Sequence, residues 1–106
     1  MVRFEFRVNA SFLEYTTHPI TVPKTKVDHE QLQHARLDNG QVVIIYPHGE
    51  RFHGHMYEGY RGGHRYYQIR HSPGNARVPQ LKRGSRLLVV LVRVLADIWV
   101  ILEFQE

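Results

Sequence analysis

His53, Gly54 and His55 put two imidazoles at alternate positions, and Glu58 follows three residues later. Alternate residues of a strand point the same way, so both rings can reach one metal ion, with Glu58 near enough to complete a three-ligand set. Eight histidines in 106 residues also produce a His-x-His pair by chance. Two strand histidines facing water are therefore the reading set against a metal site.

A second constellation overlaps the first. Tyr57-Glu58-Gly59-Tyr60-Arg61-Gly62-Gly63-His64-Arg65-Tyr66-Tyr67 interleaves cations and aromatic rings with glycines that let a backbone approach a ligand closely. Arginine pairs with phosphate or with guanine, and tyrosine stacks on bases or donates to phosphate. Against this stands a hairpin whose tyrosines are half-buried under arginine stems. Lys24, Lys26 and the polar stretch Asn9 to His18 form a further candidate surface. Nucleophilic chemistry has little to work with: Ser11, Ser72 and Ser85 lie in no nucleophile motif, and there is no cysteine. A metal-free ribonuclease built from His, Arg and Tyr needs no motif and stays open.

The charge distribution favours a polyanionic partner. The net charge is +4, and no acidic residue occurs between Glu58 and Asp97, where Arg61, Arg65, Arg70, Arg77, Lys82, Arg83, Arg86 and Arg93 lie. Such a segment attracts nucleic acid, an anionic membrane surface or an acidic protein, or else serves as a solvated face. With 42% hydrophobic and 23% charged residues the composition is that of one globular domain spanning 1–106. The first residues alternate charge and hydrophobe, unlike a signal peptide, and Arg93, Asp97 and Glu103 interrupt the apolar run Leu87 to Phe104, which reads as core. An intracellular setting is expected, cytoplasmic in a prokaryotic or viral host and nuclear in a eukaryote, with no cofactor.

The elements that must carry these residues are mostly strands. Val2, Phe4, Phe6 and Val8 alternate with Arg3, Glu5 and Arg7, the period of a half-buried strand. Pro19 to Pro23 is a short edge strand. Asp28 caps a helix over about residues 28–36, with Gln31 reaching back and Val27 and Leu32 as a hydrophobic staple. Gln41 to Tyr46 is apolar on both faces, as in a buried strand. Arg51 to Glu58 and His64 to Arg70 form a hairpin around the loop Gly59 to Gly63, and Ser72 to Ser85 is a long surface connection. Leu87 to Leu95 and Ile98 to Phe104, dense in Val and Ile, are the last strands, reversing at Ala96-Asp97. Seven strands and one short helix suit a mainly β, open pseudobarrel, whose curling protects sheet edges.

This order, with Val22-Pro23-Lys24 before the helix and Leu81-Lys82-Arg83-Gly84-Ser85 before a hydrophobic strand, resembles the B3-like DNA-binding pseudobarrel of plant transcription factors and restriction-endonuclease recognition domains. The family's second helix would fall on the Pro/Gly-rich Ser72 to Gln80, and Ser85 stands where Asp often follows Gly. The resemblance implies two arms gripping the major groove, here Ser11 to His18 and Gly59 to Arg65. It implies DNA contacts from Thr16, Thr17, Tyr60, Arg61, His64 and Arg65, and from Lys24 after the Val-Pro pair. His-x-His ahead of Glu also resembles the first cupin motif, but the Glu follows too soon and no histidine occurs after His71.

The expected function is non-catalytic binding of double-stranded DNA, with RNA and single-stranded DNA left open and no membrane partner. The rivals are a small barrel enzyme, either a cupin-like metal protein using His53, His55 and Glu58 or a toxin-type ribonuclease, and a homo-oligomeric interaction module joined through the C-terminal strands.

Overall fold

In the computed structural model, which describes residues 1–105, the N-terminal alternation forms strand β1 (Val2–Arg7), with Val2, Phe4 and Phe6 inside and Arg3 and Arg7 in water. The polar stretch after it contains a helix the sequence did not announce, α1 (Ala10–Glu14). The Asn9 side chain caps it, accepting the Phe12 N–H at 2.9 Å, and Phe12 is its one buried residue. A single turn with a single apolar contact has no periodicity to read. Strand β2 (Ile20–Thr21) is confined between Pro19 and Pro23. Helix α2 (His29–His34) is capped by Asp28, which accepts the Glu30 N–H at 2.9 Å, and it buries Leu32.

Strand β3 (Gln41–Ile45) precedes the long hairpin of β4 (Arg51–Arg61) and β5 (His64–His71). The expected five-residue loop is only the pair Gly62-Gly63, both at positive φ (58° and 80°), as a tight hairpin turn matching strand twist requires. Tyr60 and Arg61 are therefore strand residues, and their faces are set by the pleat. Strands β6 (Arg86–Val94) and β7 (Asp97–Phe104) reverse through Leu95-Ala96, one residue earlier than expected, with Leu95 at φ 57°.

The strands form one sheet in the order β1-β6-β7-β3-β4-β5-β2. Only β3 and β7 run parallel, with Val42 opposite Ile98; the other pairs are antiparallel. The sheet curls into a nearly closed barrel. Its interior holds Phe4, Ile44, Met56, Ile69, Val89 and Val100 among others. The outer side of β6, β7 and β3 carries half-buried Val90, Val92, Trp99, Ile101, Val43 and Ile45, which explains why these strands read as apolar on both faces.

Two short helices rather than one complete the fold, and the second is α1, since Ser72 to Ser85 contains no helix. They sit at opposite ends of the interior. Tyr67 on β5 meets α2 through Gln33 and His29, while His71, four residues and two pleat repeats further along, meets Phe12 of α1. Arg93 is tied to the helix rather than extended into water: its guanidinium donates to the carbonyls of Ala35 and Arg36 at the end of α2. Among the described residues no helix is long and apolar enough to cross a membrane.

Gly54 lies where β4 crosses the interior opposite His71, and a side chain there would run into the Arg70 carbonyl and the Ile44 methyl. Because the backbone oxygen cannot turn aside, Gly54→Ala is expected to destabilise the barrel by roughly 1–3 kcal/mol, the usual cost of overpacking, read as a lower urea midpoint.

Candidate functional site

On β5 the residues between the core positions face outward: His64, Tyr66, Gln68 and Arg70. Tyr66 lies across Gly59, whose missing side chain leaves room for the ring. Gln68 is the organiser of this face. Its Nε2 donates to Thr21 Oγ1 on β2 at 3.1 Å, and its Oε1 accepts Arg70 Nε at 3.2 Å and Nη2 at 3.1 Å. The Arg70 guanidinium also lies 3.7 Å above the centre of the Tyr57 ring. Held by a stack and a bifurcated acceptor, it is a planar cation in one orientation, its remaining donor edge without a partner among the described residues.

The segment Asn9 to His18, which carries α1, faces this surface. Between the two runs a groove of two joined depressions, about 390 and 410 Å³. Asn9, Ser11, Tyr15 and Thr17 line one side, Arg61, Tyr66, Gln68 and Arg70 the other, and Lys24, His64 and Arg65 its far end. Among the described residues no carboxylate lines it.

The hairpin's opposite face is a separate cluster. Glu58 accepts from Arg65 Nε and from the Tyr60 hydroxyl, both at 3.0 Å. The Tyr67 hydroxyl, pushed up in pKa by burial and then by Glu58, accepts Gln33 Nε2 at 3.2 Å and Arg65 Nη1 at 3.5 Å. His29 packs edge-on against Tyr67; burial and then Lys24 hold its pKa down, and its Nε2 is sealed with no partner among the described residues.

The N-terminal wall is fixed by an aromatic cage. His71, 1% exposed, touches Phe12, His18 and Tyr46, and its backbone N–H donates to the Thr17 carbonyl at 2.7 Å. Its Nε2 is hydrogen-bonded to the buried Tyr46 hydroxyl at 3.1 Å, while Nδ1 has no partner among the described residues. Desolvation first, then the neighbouring His18, lowers the His71 pKa to about 4, and burial raises that of Tyr46 well above its ordinary value. His18 donates from Nδ1 to the Phe12 carbonyl at 2.7 Å, closing the segment on itself.

The structure brings Thr17, Lys24, Arg61, His64 and Arg65 to one groove. Thr16 turns away, into a cleft against the Ser72–Ser85 loop, and Tyr60 lies in the Glu58 cluster. His53 and His55 are exposed on the outer face of β4, whereas Glu58, of opposite parity, is turned to Arg65; among the described residues no three His, Asp or Glu groups stand close enough to hold a metal. Sequence reasoning named Tyr66 only within the aromatic hairpin and Arg70 only within the basic segment, and it passed over Gln68 and Thr21. The alternation His64, Tyr66, Gln68, Arg70 against Tyr67, Ile69, His71 is the signal that marks three of them as one surface.

Burial of neutral His71 gives a pH dependence of definite sign. The unfolded chain takes up a proton near pH 6.5 and the folded one only near 4, so stability present above pH 6.5 is lost as pH falls to 4, by roughly 3 kcal/mol. Urea titrations across that range should show the slope in the wild type and a weaker one in His71→Gln.

Neither protein-family models nor curated proteins give a match to this chain.

Proposed function

We propose that the groove binds double-stranded DNA without catalysis, the segment Asn9–His18 and the β4–β5 hairpin serving as two arms. The observation that carries this reading is the lining: Arg61, Arg70, Lys24 and Arg65 with hydroxyl, amide and aromatic groups and no carboxylate among the described residues. That combination suits phosphate oxygens together with the edges of bases. A planar guanidinium with a free donor edge, such as Arg70, is suited to the two acceptors of guanine. The nearly closed seven-stranded sheet with two arms on one side is in keeping with a B3-like pseudobarrel.

The test is a titration of a fluorescent random duplex, with single-stranded DNA and RNA of the same sequence, over a salt series. Wild type should prefer the duplex and weaken steeply with salt. Arg61→Ala/Arg70→Ala should bind about tenfold or more weaker at low salt, with a log–log salt slope shallower by about 2. Absence of binding to all three polymers, or equal binding by the double variant, contradicts the proposal. Light scattering on the same samples tests the rival assembly through the outer face of β3, β7 and β6.

A further inference from the structure

Neighbouring residues of the first arm face opposite ways. Thr17 lines the groove against the hairpin, and Thr16 lines a cleft of about 650 Å³ on the arm's other side. That cleft lies between the arm and the Ser72–Ser85 loop, with an apolar floor of Phe12, Leu13 and Val78 and with His18, Gln80 and Arg77 at its edge; no carboxylate lines it among the described residues. The arm is thus a ridge between two depressions.

Arg77 lines the far depression, and Lys82 and Arg83 follow directly on Leu81, the last loop residue that lines it. Gly84 N–H donates to the Val8 carbonyl at 2.8 Å and Val8 N–H to the Ser85 carbonyl at 2.9 Å, docking this end of the loop against the root of the arm. Ser85 N–H closes a turn on the Lys82 carbonyl at 3.0 Å, so Lys82 and Arg83 project from a fixed backbone. Both are exposed, as is Arg77, and none has an ion-pair partner among the described residues, whereas Arg86 is paired with Glu5.

We infer that the Ser72–Ser85 loop is a third DNA-contacting element, in which Arg77, Lys82 and Arg83 hold phosphates on the side of the first arm away from the hairpin. This rests on the DNA-binding reading above and enlarges it from a groove between two arms to a ridge flanked by cations on both sides. A ridge entering a groove of the duplex has one phosphate backbone on each side, and a cation wall on each side is the arrangement that neutralises both.

The experiment compares two triple variants of equal charge change on a random duplex over a salt series: Arg77→Gln/Lys82→Gln/Arg83→Gln, and a control, Arg3→Gln/Arg36→Gln/Arg51→Gln, at exposed positions elsewhere. The loop variant should lose about 2 to 3 from the log–log salt slope, as expected for three released phosphate contacts, and the control less than half of that. Equal slopes for loop variant and control overturn the loop assignment even when Arg61→Ala/Arg70→Ala impairs binding. Wild-type protein that ignores the duplex overturns the DNA reading and the loop assignment with it.

Discussion

A β-strand cannot bury every second side chain without presenting the others, and strand β5 carries the consequences of that constraint for the whole molecule. Tyr67, Ile69 and His71 enter the barrel, where one meets the helix at one end and another the helix at the other. Tyr66, Gln68 and Arg70 are thereby committed to the outside, along one wall of the groove. Register cannot slip by one residue without exchanging the core for the candidate site. The Gly62-Gly63 turn holds that register at the hairpin tip, and the close approach of Tyr66 to Gly59 holds it along the shaft.

The opposite wall depends on the same strand. His71 anchors the first arm twice, through its backbone to Thr17 and through its ring to Phe12 and His18, and a neutral imidazole is what such a desolvated position tolerates. The groove is therefore walled by one element in the sheet and one packed onto its end. Of its cations only Arg65 is paired with a carboxylate among the described residues, Glu58 binding it together with Tyr60 on the hairpin's other face, while Glu5 is engaged with Arg86. Arg65 stands at the boundary, paired on one side and lining the groove on the other.

Much of the fold was legible because period two is a local signal. Residues 2–8 show it plainly, and the density of Val and Ile in residues 87–104 distinguished two strands from a helix. Asp28 announced α2 because a cap is also local. What escaped depended on tertiary contact. Helix α1 exists because Phe12 has a pocket among Phe6, His18 and His71, which no neighbour in sequence reveals. Placing Tyr60 in a loop hid its parity, and with it the fact that it pairs with Glu58 rather than facing the groove. The positive stretch after Glu58 was visible as charge, but only the fold separates Arg93, spent on the end of α2, from Arg61 and Arg70 in the groove. Gln68 carries no charge and sits in no motif; its importance lies in joining Thr21 to Arg70 across two strands.

The central claim is that one surface, walled by the first arm and the outer face of β5, receives the DNA backbone. The most direct measurement is a backbone-amide NMR titration of the whole chain with a short random duplex. The account predicts shifts concentrated in Asn9 to Thr21, around Lys24, from Arg61 to Arg70 and, with the loop engaged, from Arg77 to Arg83, with Val43, Ile45, Val90, Val92, Trp99 and Ile101 unmoved. Shifts centred on that outer apolar face, or none at saturating duplex, would contradict it.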